Sequence, residues 1–240
     1  MRLQCIKARD LLFHIPKESL HIHTDYTDGE CSVKSVVEQA ESMGFERIAI
    51  TEHIDKNSDW FEKFSQEVEI LRMNKKSIKI IYGIEPRAID YDGNLNAPQG
   101  IIDNSEIVIG VVHSYPKEER SFETEKYGMH EITAEKALYL EYNASLALIK
   151  NGIIDVLGHP GGTYFKHFGK PPYDFYKDII KEVSQSEVAI EINPFYLENV
   201  KEILEICMEF NPYIVLGDNA HKLNHLGKAY EAVREAINEL

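Results

Sequence analysis

Apolar residues recur along this chain in two alternating rhythms. Short continuous apolar runs, the mark of buried strands, fall at residues 20–23, 47–51, 78–82, 106–112, 153–158, 187–192 and 213–217. Between most of them the apolar positions recur three and four apart. Val33, Val36, Val37, Ala40 and Met43 follow Ser32, a natural N-cap, and stop at Gly44. Further helices are predicted over 59–74, over 133–151 with Thr133 as cap and Gly152 as stop, and over 173–184, 197–210 and 226–240. Residues 86–99 contain Asp92-Gly93-Asn94 and read as a hairpin or loop. Residues 117–130 are charged without a period and predict a loop over the strand ends. Residues 1–18 form an N-terminal extension with at most one short element.

Strands alternating with helices imply a parallel sheet covered on both faces. Seven such units predict an α/β (β/α)7 TIM-like barrel, with 1–240 as a single domain. An open doubly wound sheet is the alternative. No Gly-x-Gly-x-x-Gly follows the first strand, which removes the simplest nucleotide-binding reading.

Composition narrows the class. The formal net charge of −14 disfavours nucleic acid and anionic membranes as partners. Cys5, Cys31 and Cys207 are odd in number and far apart, which fits a reducing compartment and excludes a cysteine-based zinc site. The first sixteen residues lack a signal-peptide core, and no apolar run reaches membrane-spanning length. A soluble, cytoplasmic protein is expected.

The chemistry lies at the strand ends. His21, His23, His53, Glu85, His113, His159 and His221 each stand at or just past the carboxyl end of a predicted strand. His21 and His23 are two apart and share one face of theirs. Asp28 follows in a short loop, where Gly29 lets the chain turn. In a parallel barrel all such ends open on one face. Imidazoles and carboxylates gathered there suit zinc, manganese or iron. One ion takes about four ligands, so this many implies more than one ion, bridged by Asp28 or Glu85. Glu52 alternates with His53 and faces away, which predicts a structural ion pair. Glu191 and Asn193, at the sixth strand end, are candidates to orient a ligand imidazole or to cap a turn. His14, His130, His167 and His225 lack this placement and read as surface residues, but His167 and His225 lie in loops on the active face, which leaves a substrate contact open to them.

These motifs as a set resemble the PHP (polymerase and histidinol phosphatase) family over roughly residues 20–227. His21-Ile22-His23-Thr24 with Asp28-Gly29 resembles its first motif, and Thr51-Glu52-His53 its second. Gly83-Ile84-Glu85 resembles its metal-bridging Glu, while His113 and Gly158-His159-Pro160 match its later histidines. Ala220-His221 with Gly227 resembles the last motif, but the usual Asp of that motif is Asn219 here. Asp218 is the alternative ligand if the loop shifts by one residue. The resemblance implies a distorted seven-stranded barrel, two or three divalent ions (Zn, Mn or Fe) and phosphoester hydrolysis.

The expected enzyme is a metal-dependent phosphomonoesterase in which a metal-bridging hydroxide attacks phosphorus. Its metal ligands are His21, His23, Asp28, His53, Glu85, His113, His159, Asn219 and His221, with Asp28, Glu85 and His221 central to catalysis. Arg87 and Arg120 lead the candidate phosphate clamps, ahead of Lys166 and Lys222. The partner is a small-molecule phosphoester. Histidinol phosphate, from histidine biosynthesis, is one candidate because the family includes histidinol phosphatases. An amidohydrolase-like site is disfavoured because no strand end offers a lysine. A low-activity metal-binding regulatory module, motivated by Asn219, is the reading of a different class.

Overall fold

The computed structural model describes residues 4–75, 77–117 and 127–240. Eight strands form one sheet in the order β1-β8-β7-β6-β5-β4-β3-β2. β2 (Glu18–Ile22), β3 (Arg47–His53), β4 (Lys79–Glu85), β5 (Ile107–Gly110), β6 (Val156–Leu157), β7 (Ala189–Ile192) and β8 (Tyr213–Leu216) pair in parallel in chain order. The helices α1 (Val33–Ser42), α2 (Phe61–Asn74), α3 (Gln99–Asn104), α4 (Ala134–Asn151), α5 (Gly162–Phe168), α6 (Tyr173–Ser184), α7 (Val200–Phe210) and α8 (Lys228–Asn238) lie between and after them. Ser32 and Thr133 cap α1 and α4 through their side chains, as their positions predict.

The sheet closes. Ile22 bridges Ala220 in parallel, with His23 N donating to Ala220 O (2.9 Å) and Ala220 N to His21 O (3.2 Å). That closure excludes the open doubly wound alternative. The seam is irregular: β8 itself has no ladder with β2, and the bridge lies past its end, at Ala220. At its start β8 pairs antiparallel with β1 (Ile6–Lys7), the short element of the N-terminal extension.

Side-chain alternation builds the interior in layers. Ala49, Ile81, Ile109, Val156, Ala189 and Val215 form an apolar floor with Leu20. Their neighbours Ile48, Ile50, Ile80, Ile190, Ile214 and Leu216 face the helices instead. Two residues above the floor stand Thr51, Gly83, Val111, Gly158, Glu191 and Gly217. Two above those, on the same strands, come His53, Glu85, His113, Asn193 and Asn219. β2 breaks the rule usefully. Leu20 belongs to the floor, so strict alternation would send Ile22 inward and His21 and His23 outward. A register shift between Ser19 and Ile22 reverses this. Ile22 packs outside the barrel and both histidines turn in.

Two predicted features need correction. The run at 153–158 forms a strand only over Val156–Leu157; just before it, Asp155 accepts a hydrogen bond from Val108 N through its side chain. Helices α3 and α5 arise in stretches for which no helix is predicted; neither reaches eight residues, too short for a readable period. The stretch at 86–99 takes one of its two expected forms, a loop, with one antiparallel bridge, Ala88 to Leu95. No helix among the described residues is long and apolar enough to cross a membrane.

Candidate metal centre

Six imidazoles and two carboxylates converge at the carboxyl rim of the barrel. Glu85, 2% exposed, is the hub. Its Oε1 lies 3.1 Å from His21 Nε2, 3.0 Å from His159 Nε2 and 3.4 Å from His113 Nε2. Its Oε2 lies 2.6 Å from His53 Nδ1 and 3.7 Å from His23 Nε2. The two oxygens therefore face different donor groups, as a bridging carboxylate must. Nearer the mouth, Asp28 Oδ1 lies 3.2 Å from His221 Nε2, and Oδ2 lies 3.3 Å from His53 Nε2. Together with His23 these donors fall within 4.8 Å of one another.

The spacing suits ions. Ligands at about 2.0–2.2 Å from a tetrahedral ion lie on the order of 3.5 Å apart, close to most of the separations found. Chemistry suits them too. His21 Nε2 and His23 Nε2 lie 3.1 Å apart, a contact that two lone pairs resist unless a cation or proton joins them. His23 Nδ1 is buried without a hydrogen bond. Protons fill the need where no ion is bound. Burial disfavours charge on His21, but Glu191 and Glu85 outweigh it and push its pKa up to about 10. Burial holds His23 well below the usual imidazole range despite Glu85, with the charges of His21, His53 and His221 adding to the effect. Burial alone would raise Glu85; the neighbouring His113 and His21 charges instead keep it well below the usual carboxylate range.

Supporting groups aim the imidazoles. Glu191 Oε1 accepts from His21 Nδ1 (2.8 Å), which leaves His21 Nε2 for the centre. Its Oε2 accepts from His159 N (2.6 Å), and Asn193 Nδ2 donates to Oε1 (3.1 Å). Glu191 is close enough to His21 and His159 to ligate an ion with them. Its oxygens already accept three hydrogen bonds, an arrangement that suits orienting the imidazoles. The carboxylate fits only because residue 217 is glycine: a Cβ there would sit 1.9 Å from Glu191 Oε1. His221 Nδ1 lies 2.9 Å from Asn219 O. A carbonyl cannot donate, so Nδ1 carries the proton and Nε2 presents the lone pair.

Comparison with known proteins agrees with this geometry. The family model described as PHP domain matches residues 19–195. The chain belongs to the PHP domain family. A probable phosphatase of Caldicellulosiruptor saccharolyticus is 24% identical over 87% of this chain and 80% of its own length. One of Vibrio parahaemolyticus is 26% identical over 93% and 84%. Among solved structures, histidinol phosphate phosphatase of Lactococcus lactis, complexed with zinc, L-histidinol and phosphate, matches with TM-score 0.71. The match covers 93% of this chain and 94% of that one at 22% identity.

Within this PHP domain the other sequence expectations divide. Among the described residues Glu52 has no ion-pair partner. Fully buried, it accepts hydrogen bonds from Thr24 N (2.9 Å), Thr24 Oγ1 and Thr27 Oγ1, and so braces the loop that carries Asp28. Burial pushes its carboxyl up to about 7 against those hydrogen bonds. Gly29 is needed for close approach rather than for turning: a Cβ would lie 2.4 Å from His23 O. Asp218 is not the alternative ligand. Its oxygens accept from Ala229 N (2.7 Å) and Gly227 N (2.8 Å) at the start of α8. Asn219 donates from Nδ2 to Tyr196 Oη (3.2 Å), while its buried Oδ1 has no hydrogen-bond partner.

Asn219 and His221 also border a pocket of about 430 Å³ lined by Phe165, Lys166, Phe195, Tyr196 and His225. His225 thus faces the site, in keeping with its expected place in an active-face loop. Lys166 Nζ stands 5.0 Å over the Tyr196 ring. Lys222 pairs with Glu30 at 2.6 Å on the surface and is no free clamp. Arg87, half-buried, stands two residues past Glu85 in a bridge to Val111. Arg120 lies outside the described residues.

Proposed function

We propose that this protein is a metal-dependent phosphoric monoester hydrolase acting on a small-molecule substrate. The observation that carries this is Glu85, whose two oxygens face separate histidine sets inside a closed barrel. The ions would be held by His21, His23, Asp28, His53, Glu85, His113, His159 and His221, with the Asn219 carbonyl available to a further one. Two or three divalent ions, zinc, manganese or iron, would supply a water acidic enough to attack phosphorus near neutral pH and neutralise phosphoryl charge.

The residues of the chain do the rest. Glu191 keeps the His21 lone pair aimed inward, and the backbone carbonyl of Asn219 does the same for His221, leaving its side-chain Oδ1 for an ion. Asp28, the exposed carboxylate at the mouth, takes up the proton of the attacking water and returns it to the leaving oxygen as the P–O bond breaks. Arg87 and Lys166 are the described cations at the rim that suit the phosphoryl oxygens, and Arg120 is a third candidate. The aromatic pocket beside His221 receives the leaving alcohol. Histidinol phosphate is the first substrate to try, since a solved protein of the same fold holds L-histidinol, phosphate and zinc.

The test is hydrolysis of a panel of phosphomonoesters by chelator-stripped protein, before and after adding Zn²⁺, Mn²⁺ or Fe²⁺. Activity only in the reloaded protein supports the assignment. Full activity in the stripped protein refutes it.

A further inference from the structure

Helix α4 buries Ala137, Leu140, Ala144 and Leu148. Glu141 stands among them, 1% exposed and without a basic partner among the described residues. Burial pushes its carboxyl up to about 7, although Tyr115 and backbone amides pull the other way. An apolar residue would serve packing better at this position. The carboxylate instead supplies fixed acceptors to two separate loops. Oε2 accepts from Tyr115 Oη (2.6 Å) and Tyr164 N (3.2 Å), and Oε1 accepts from Gly161 N (3.1 Å). Tyr115 lies two residues past His113, and Gly161 two past His159.

We propose that Glu141 is a positioning residue that fixes the loops carrying His113 and His159, and thereby sets how tightly the metal centre binds its ions. The proposal rests on the metal centre of the proposed phosphatase.

The same two loops meet at both ends. At the centre, His113 and His159 stack with ring centroids 5.3 Å apart and both reach Glu85 Oε1. Behind it, Glu141 joins them, and Thr163 Oγ1 donates to Val112 O as a second tie. The tie carries strain. His159 has φ of 24°, a left-handed value costly for a residue with a side chain. Such a conformation persists only where its surroundings over-determine it. Glu191 holds the amide of His159, and Glu141 holds the turn that follows.

The experiment is competition titration of Zn²⁺ and Mn²⁺ against a chromophoric chelator, on the full chain, for wild type, Glu141→Gln and Tyr115→Phe. Glu141→Gln is expected to weaken at least one ion by roughly 10- to 100-fold, the usual effect of losing an outer partner of a ligand. Tyr115→Phe, which removes one of three hydrogen bonds, weakens it less. At saturating metal, KM for a phosphomonoester stays at the wild-type value. A purely structural role would lower the melting temperature and leave affinity unchanged; that result overturns the proposal. If Glu141→Gln does not fold, Tyr115→Phe decides, and wild-type affinity there overturns it. Metal-loaded wild type that turns over no phosphoester sinks the phosphatase and leaves the affinity comparison intact.

Discussion

Replacing Glu191 with glutamine probes the aiming of ligands without changing side-chain shape. The carboxylate, 2% exposed, accepts from three donors: His21 Nδ1, His159 N and Asn193 Nδ2. Glutamine has one acceptor oxygen, and its NH₂ must face one of these groups. If it faces His21, the imidazole gains an acceptor role at Nδ1 and its proton moves to Nε2. Nε2 is the atom 3.1 Å from Glu85 Oε1, so one ligand to the centre is lost. If the NH₂ faces His159 N instead, two donors oppose each other beside a residue already at φ 24°. Either way one imidazole is disabled. Loss of such a partner weakens metal binding on the order of 10- to 100-fold, or about 1.4–2.7 kcal/mol. Metal titration of Glu191→Gln, with turnover measured against free metal concentration, reads this directly. Activity should return at high metal. A variant with wild-type affinity and an unshifted metal dependence would refute the reasoning.

Three further outcomes follow from the same geometry. Asn219→Asp adds a negative charge where a carbonyl now stands, and should tighten one ion at least about tenfold in a competition titration. Lys166→Ala should raise KM for a phosphomonoester about tenfold with a smaller change in kcat, because a charge-assisted hydrogen bond is worth roughly 1.5–3 kcal/mol; an unchanged KM removes Lys166 from the substrate site. Glu141 gives a pH signature. Its folded carboxyl titrates at about 7, above an unfolded value of 4.5. The folded state therefore binds more protons, and stability falls as pH rises through that window, by on the order of 3 kcal/mol. Urea denaturation of metal-free wild type from pH 4.5 to 7.5 should show the loss, and Glu141→Gln should lack that component.

The strand ends were legible because apolar runs and ligand residues repeat together: 47–51 then His53, 78–82 then Glu85, 106–112 then His113. A residue's position relative to its strand is enough to predict a shared rim. The inward turn of His21 and His23 was predicted without its cause, since a bulge leaves no mark in the pattern of Leu20 to His23. Glu191 was readable as a ligand-orienting group or a turn cap because it ends a strand beside Asn193. Glu141 was not readable. It sits mid-helix, where a glutamate ordinarily faces solvent, and only the packing of α4 against two distant loops shows its role. Glu52 misled for a related reason: its outward direction was foreseen, but its partners are hydroxyls on another segment. Asn219 was flagged as a departure, and the commitment of Asp218 to the start of α8 depends on a backbone path that local sequence does not specify.

The bridge between Ile22 and Ala220 joins segments about two hundred residues apart, and ligands flank it on both sides. His21 and His23 stand at one lip of the seam, and Asn219 and His221 at the other. Cations bound there would act as a clasp across the hoop, joining the first and last strands of its circumference. Stripping them should loosen this junction before any other part of the wall, and amide exchange at His23 and Ala220 would register the opening first. If ions bind there, they would couple chemistry to integrity, since the same cations that prepare the site for a substrate would also fasten the wall shut.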